Sequence, residues 1–527
     1  MAGTFWAFVP AIVAILLALI TKQVYISLFF GIFVGAMFLA GGNPLEAIGT
    51  IYTVMSEKVG GNVSIVAFLV ILGILVVLMQ KSGGSQAYGR WAARKIRSEK
   101  GAIAATGALG CVIFVDDYFN CLTVGSVMRP LTDKYRVSRS KLAWIIDSTA
   151  APVCIIAPIS SWAAAVAGEL EGNSLTAFMA TIPFNVYAIL TIIMVFAFCA
   201  LKLDFGKMRK HESIAKTTGD LNAGSTDLPA EEEVAFAPKP NAKVQYLLIP
   251  VIVLILCCIG GMIYTGFFYN WDTGVLGSEL QSANVIEAFS NCDAGLSLAI
   301  GSTVALILIG IYYMIMKALS FKEITESFTQ GFKTMVPAIL ILTFAWTLSG
   351  IMGAKGGYLD AQGFVEKSLT GLDLNWLFPA VFFILACGIA FSTGTSWGTF
   401  GVLVPLATAI LGTKMDAITL MTISATLGGA VFGDHISPIS DTTILASAGA
   451  NCNHVNHVNT QLPYAGLIAV ITAVSYLVGG IATSLGTVAS ALMLWAVALV
   501  LFIAATLVIK QMNKNREAIP VYTPTEE

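Results

Sequence analysis

Three observations predict an all-α polytopic membrane protein, an inverted repeat of about 11 transmembrane helices plus two re-entrant hairpins. The first is composition. Of 527 residues, 57% are hydrophobic and 11% charged, with mean hydropathy +0.81, whereas soluble domains carry about 25% charge. The second is the placing of lysine and arginine. With the N-terminus outside and each hairpin returning to the side it left, 25 of the 29 basic residues fall inside, and Lys58, Lys355, Lys367 and Lys414 fall outside. Full spans in place of hairpins would destroy that bias. The third is a set of motifs recurring in the same order in both halves.

Apolar runs mark the spans at residues 5–21, 24–41, 63–80, 142–166, 176–202, 244–266, 294–316, 334–353, 417–447, 463–484 and 487–510. The first follows no basic n-region, since no lysine or arginine precedes Lys22, and it reads as a span rather than a signal peptide. Two regions are shorter and interrupted. Residues 101–131 are split by Asp116-Asp117-Tyr118, and 375–411 by Ser392-Thr393-Gly394-Thr395-Ser396, so both read as re-entrant hairpins with polar tips. Residues 203–243 are rich in charge, Pro, Gly, Ser and Thr and read as a flexible cytoplasmic linker, a plain tether.

That linker divides residues 1–202 from 244–484, with a last span and cytoplasmic tail at 485–527. Met79 to Gly84 parallels Met352 to Gly357, Gly125 to Pro130 parallels Gly401 to Pro405, and Ala157-Pro158-Ile159-Ser160-Ser161 parallels Ser437-Pro438-Ile439-Ser440-Asp441. Aligned on Met79, Pro130 and Pro158, the offsets are 273, 275 and 280, as small insertions produce. The first half has five spans, so its successor enters the membrane upside down. Such inverted repeats are transporter architecture, with the site near the midplane between the halves.

The ninth span, 417–447, would be roughly 48 Å long as one helix, too long for a hydrocarbon core of about 30 Å. Pro438 lacks a backbone donor and clashes with the turn before it, so the span reads as a broken helix. Polar groups at a break inside a bilayer point to an ion or substrate site, and here they are Asp434, Ser437, Ser440, Asp441 and Thr442. By the repeat, the broken fourth span (142–166) adds Asp147 and Ser160, the first tip Asp116, Asp117 and Asn120, and the second tip Thr393 and Ser396. Carboxylate, hydroxyl and carbonyl oxygens suit hard cations such as Na+. Asp434 is the first candidate for a carboxylate that takes either a proton or Na+, with Asp441 or Asp147 next. Each also reads as a helix cap or a structural partner, and His435 reads equally as a proton relay or a satisfied histidine.

Several classes drop out. No basic groove or aromatic-basic interleaving suggests nucleic acid. The nine cysteines show no CxxC or disulfide pattern. Cys452-Asn453-His454-Val455-Asn456-His457 lacks a fourth ligand and a finger spacing, and reads as a polar cytoplasmic loop rather than a metal site. The Gly-Gly pairs at 83–84 and 356–357 precede no Lys-Ser/Thr, which excludes a phosphate loop. An intramembrane aspartyl protease needs glycine where Val431 stands, so the chain does not read as an enzyme. No cofactor is expected beyond transported Na+ and H+.

Gly433-Asp434-His435-Ile436-Ser437-Pro438-Ile439-Ser440-Asp441-Thr442-Thr443-Ile444-Leu445, followed by His454, His457-Val458 and Thr460-Gln461-Leu462-Pro463-Tyr464, resembles the C-terminal signature of the NhaC family of Na+/H+ antiporters. The likeness in layout covers essentially the whole chain. It implies an ion-transporter-superfamily fold in a bacterial inner membrane. It also implies a transport domain that moves as an elevator against a scaffold, usually in a homodimer. The hairpin tips and the breaks near Pro158 and Asp434 would belong to the moving part. Similar proteins include a malate/lactate exchanger and proposed amino-acid carriers. A Na+/H+ antiporter is therefore the first expectation, and a Na+- or H+-coupled carrier of a small amino or organic acid the second.

Overall fold

The computed structural model describes residues 2–21, 23–170, 174–225, 239, 241–270, 275–290, 292–353, 358–360, 364, 374–412, 414–438 and 440–514. After a 3-10 turn at Phe5–Phe8, the first half runs through α1 (Val9–Thr21), α2 (Val24–Leu39), α3 (Pro44–Gly61), α4 (Val63–Lys81) and α5 (Gly84–Lys95). It continues with α6 (Glu99–Val112), α7 (Asp117–Lys134), α8 (Arg139–Ser148), α9 (Ala151–Cys154), α10 (Ser161–Ala167), α11 (Ser174–Thr181) and α12 (Val186–Leu201). A helix in the connecting stretch, α13 (Gly206–Thr218), leads to α14 (Gln245–Phe268), α15 (Val285–Ser290), α16 (Ala294–Ile315) and α17 (Phe321–Met352). Then come α18 (Phe378–Thr393), α19 (Ser396–Leu411), α20 (Ala417–Ile436), α21 (Asp441–Ala450), α22 (His454–Ile481) and α23 (Thr487–Lys514). The strands among the described residues are the two-residue pair Tyr269–Asn270 and Val275–Leu276, antiparallel with Tyr269 opposite Leu276.

Among the described residues seven helices are long and apolar enough to cross a membrane, and ten if each bent pair counts as one span. The expected count of eleven included the fourth span, which the structure divides into α8, α9 and α10, each too short to cross alone. The shorter apolar Phe5–Leu17 also stays below that length. Residues 375–393, read from sequence as a short hairpin arm, form one 19-residue stretch long enough to cross by itself. Helix α3 lay outside the sequence expectation, because Glu46, Glu57 and Lys58 mask its apolar side. Asn43 caps it, and it turns 113° away from the preceding helix.

Both expected tips are breaks between helices. One lies between α6 and α7, where Asp116 caps α7, and the other between α18 and α19 at Gly394–Thr395. Both broken spans open their last piece on a serine: Ser160 caps α10 and Ser440 caps α21. Small residues let these pieces approach closely, since apolar surface gives helices in lipid no hydrophobic drive to associate. A Cβ on Gly433 of α20 would stand 2.4 Å from the Cys387 carbonyl oxygen of α18. Where α7 crosses α21, a Cβ on Gly125 would stand 2.4 Å from the Gly449 backbone. Helix α20 is almost wholly buried by its neighbours. By contrast α23 turns Val488, Leu492, Val500, Leu507 and Val508 outward, as a lipid-facing helix does.

The connecting stretch corrects the flexible-tether expectation where it is described. Helix α13 is docked, with Met208, Glu212, Ala215 and Lys216 buried. Lys141 of α8 pairs with Asp204 at 2.8 Å and Glu212 at 3.6 Å, and Lys216 pairs with Glu99 at 3.0 Å. Phe205 stacks on Tyr464 of α22 at 4.3 Å, and His211 Nδ1 meets Ser140 Oγ at 2.9 Å. The segment looked tether-like because its charges seemed solvated, whereas they are partners for buried charges on the bundle. Residues 226–238, which hold Glu231-Glu232-Glu233, lie outside the described residues, as do Lys355 and Lys367.

Candidate functional site

Four elements bring the polar residues of the two breaks together. Asp434 ends α20 and is fully buried, and its Oδ2 accepts from Thr442 Oγ1 on α21. A broken helix permits this contact, since an unbroken one would carry residue 442 two turns away. Ser440 Oγ accepts from the Thr443 amide at 3.1 Å, so the N-terminus of α21, with its partial positive charge, opens beside Asp434. Ser437 Oγ donates to the Phe391 carbonyl at 2.7 Å, tying the joint to α18. Asp441 is the first residue of α21, and its side chain lies outside the described residues.

Asp147, at the end of α8, is also fully buried. Its Oδ2 accepts from Gln461 Nε2 at 2.7 Å, His457 Nε2 at 3.2 Å and Thr443 Oγ1 at 3.2 Å. The same Gln461 Nε2 reaches the His435 carbonyl at 2.7 Å, and Thr443 Oγ1 reaches the Asp434 carbonyl at 3.1 Å. His435 pairs through Nδ1 with the Tyr187 hydroxyl of α12 at 2.9 Å. The carboxylate of Asp147 and the main-chain carbonyl of Asp434, one from each broken span, thus meet across one threonine. Asp147 Oδ2 is held by a hydroxyl, an imidazole and a side-chain amide, and Asp434 Oδ2 by a hydroxyl. The nearby lysine on α8, Lys141, is engaged by Asp204 and Glu212.

A second group gathers at the first tip. Asp116 accepts from the Phe119 amide at 2.9 Å and lies beside Ser161, while Asp117 Oδ2 accepts from Trp162 Nε1 of α10 at 3.0 Å. Asn120 Nδ2 lies within 2.7–2.9 Å of the Gly110, Ile113 and Thr149 carbonyls, binding the tip to the end of α8. Trp162 packs against Trp397 and Phe400 of α19 at 5.7 and 5.2 Å, which brings both tips into one neighbourhood. Cys121 on α7 lies within electrostatic reach of Asp117, Asp147 and Asp434 alike, linking the two groups.

Of the expected residues, Asp434, Thr442, Asp147 and Ser440 converge at the joint, and Asp116, Asp117 and Asn120 at the tip. Ser160 closes on its own segment, where its Oγ donates to the Cys154 carbonyl at 2.7 Å and accepts from the Ala163 amide at 3.0 Å. Thr393 donates to the Ile389 carbonyl at 2.8 Å and Ser396 to the Ala430 carbonyl at 3.2 Å, so each gives its hydrogen to a main-chain group. Three residues of the site escaped the sequence reading: Thr443, His457 and Gln461. The stretch read as a cytoplasmic loop becomes helix at His454, and His457 is fully buried. The signal was the four-residue spacing of His457 and Gln461, one face of a helix, obscured by the asparagines around them. Among the described residues no three His, Cys, Asp or Glu side chains are grouped as a metal centre requires.

The sequence profile of the Na+/H+ antiporter family matches residues 163–481, well over half the chain. A Haemophilus influenzae protein described only as uncharacterized is 38% identical over 492 residues, 90% of this chain and 91% of that one. The malate-2H+/Na+-lactate antiporter of Bacillus subtilis is 32% identical over 165 residues, 31% of this chain and 33% of its own length. A further Haemophilus influenzae protein, described as an uncharacterized Na+/H+ antiporter, is 30% identical over 171 residues, 32% of this chain and 35% of its own length. Two buried carboxylates at the breaks of paired helices, in a polytopic bundle matched by that profile, give the assignment its chemical sense: the chain belongs to the Na+/H+ antiporter family.

Proposed function

We propose that the protein exchanges cytoplasmic Na+ for external H+ by alternating access, with Asp434 as the exchanging carboxylate. The observation that carries this is a fully buried carboxylate at a helix break, whose Oδ2 accepts from the Thr442 hydroxyl across the joint. A carboxylate removed from water is costly to leave uncompensated, and it takes a proton or a cation. A site that holds one or the other, and opens to each side in turn, exchanges them. The N-terminal half-helix dipole of α21 keeps the charged form accessible, and Ser437 and Thr442 supply oxygens for Na+.

The rest of the reading follows the resemblance and the basic-residue bias. The two halves are inverted repeats of a homodimer in a bacterial inner membrane, N-terminus outside and C-terminus cytoplasmic, and the tips and breaks move together as an elevator. The tie from Ser437 to Phe391 and that from Asn120 to Thr149 support such a unit, since each joins a tip to a break. A second reading, a coupled carrier of a small acid, draws on the malate/lactate name of the Bacillus subtilis relative. A free carboxylate solute would need a cationic or donor-rich pocket, whereas the two breaks bury two carboxylates of their own, Asp434 and Asp147, which favours the first reading.

The test uses the full-length protein in sealed vesicles with a preset pH gradient. Adding external Na+ collapses the gradient in the wild type and leaves it intact in Asp434→Asn. A wild type silent to Na+ alone, but active once malate or lactate is added, would replace this reading with the second.

A further inference from the structure

Glu169 is a buried carboxyl that the exchange site does not use. It is 8% exposed, and neither of its carboxylate oxygens has a hydrogen-bond partner among the described residues. Buried polar atoms are nearly always paired, so two orphan oxygens on one side chain need an explanation. A carboxylate stripped of water without compensation is too costly to keep, and it takes up a proton instead.

Its surroundings supply no compensation. Glu169 stands two residues past the C-terminus of α10, whose partial negative charge opposes a further negative charge. Gly168, the residue between, is wedged against α4 and α17: a Cβ there would stand 3.0 Å from Ile65 Cδ1 and 3.0 Å from Trp346 Cζ2. Ile65 is held by α16 as well, since a Cβ on Gly295 would stand 3.1 Å from its Cγ1. The indole Nε1 of Trp346, 3.2 Å from the point a Gly168 Cβ would take, also lacks a partner among the described residues, so this donor is not spent on the carboxylate. Helix α10 packs on α4, α9, α11, α16 and α19, and among the described residues no charged or titratable group of those elements, or of α17, acts on Glu169. A bridging water would satisfy an oxygen and leave the charge. A cation would need several oxygen ligands, whereas a methyl and an indole edge meet the turn at Gly168.

The place of the carboxyl gives the proton a use. Helix α10 begins at the first tip, where Trp162 Nε1 donates to Asp117 at 3.0 Å, and Glu169 follows Trp162 by about 10 Å along the same segment. It therefore travels with the tip in the exchange cycle proposed above. The surface it is pressed on, α4 with α17, is locked together, since a Cβ on Gly73 would stand 2.4 Å from the Gly331 carbonyl oxygen. Movement of α10 off that surface uncovers the carboxyl, and in the proposed orientation α10 ends on the outer side. The uncovered group exchanges its proton with external water, and it returns to the buried position only when protonated.

We infer that Glu169 is a proton-binding site outside the exchange site: it holds an external proton whenever the end of α10 is buried against α4 and α17, and so gates the return of the moving part. The gate rests on the exchange reading above, but the proton is observed without transport. Infrared spectra of the full-length protein in lipid vesicles at neutral pH are compared for wild type, Glu169→Gln and Glu169→Met. The carbonyl band of a protonated carboxylic acid is expected in the wild type and is weaker by one group in both variants. Both variants are uncharged and close in size to the original, and both are expected to fold. Identical spectra overturn the site, as does failure of both variants to fold, which would show an ionised group held by partners. In flux measurements, raising the external pH is expected to slow the wild type relative to Glu169→Gln by up to about tenfold per pH unit. An equal fall in the two overturns the gate. A Glu169 band without Na+-driven proton flux upholds the proton site and sinks antiport, and flux with no such band does the reverse.

Discussion

In the first half, Pro158-Ile159-Ser160 leads into α10, and Ser160 Oγ accepts from the Ala163 amide at 3.0 Å. In the second, Pro438-Ile439-Ser440 leads into α21, and Ser440 Oγ accepts from the Thr443 amide at 3.1 Å. The same tripeptide thus ends in the same helix cap twice. The carboxylates ahead of it behave differently. Asp434 reaches Thr442, eight residues on, across a short joint. Asp147 finds Thr443, Gln461 and His457, about three hundred residues away, and a separate short helix, α9, intervenes before its own cap. The repeat therefore transmits the break, and each half supplies the charge at the break in its own way, one locally and one through the other half.

The largest expected effect tests that contrast directly. Asp434→Asn should reduce Na+-dependent proton flux to the level of protein-free vesicles, while Asp147→Asn should leave flux measurable with altered Na+ dependence. Equal loss from both would make the two carboxylates one site. Next is Gly433→Ala, which forces a methyl to 2.4 Å from the Cys387 carbonyl. Overpacking of this kind costs about 1–3 kcal/mol, and a lowered melting temperature in detergent would register it. The two caps come third. Ser160→Ala and Ser440→Ala should each cost about 1 kcal/mol of stability, but the second alone should raise the Na+ concentration for half-maximal flux, because Ser440 Oγ also lies 3.3 Å from Thr442 Oγ1.

The smallest effect concerns α13. Burial first, then Lys210 and Lys207, hold the His211 ring below its ordinary value. A histidine held below its ordinary value favours the docked form while it stays neutral. That contribution is fully present above about pH 6.5 and is lost as pH falls through the lowered value. Hydrogen exchange over Gly206–Thr218 should quicken in acid, and His211→Gln should flatten the dependence.

Asp434 and the break at Pro438 were legible because each acts within a few residues of itself: proline removes a donor, and a charge inside an apolar run has few other uses. Ser160 and Ser440 were read as ligands, and the structure adds that each caps a helix. His457 and Gln461 were not legible, since their meaning depends on Asp147, which sequence spacing places nowhere near them. The docking of α13 was hidden for a related reason. Its glutamate and lysines look solvated until Lys141 and Glu99 are known to face them. Where the hydroxyl hydrogens of Thr393 and Ser396 go was equally hidden, since the Ile389 and Ala430 carbonyls that take them are fixed by the fold.

The crossing of Gly125 on α7 with Gly449 on α21, together with the 314 residues separating Asp147 from Gln461, bears on how the protein is made. At about 5–20 residues per second, a ribosome needs tens of seconds to produce Gln461 after Asp147 has emerged. For that interval the first half carries an acidic residue whose long-range partners do not yet exist, and a glycine notch that nothing fills. Chains released early keep both defects, which gives membrane quality control a way to recognise an unfinished copy.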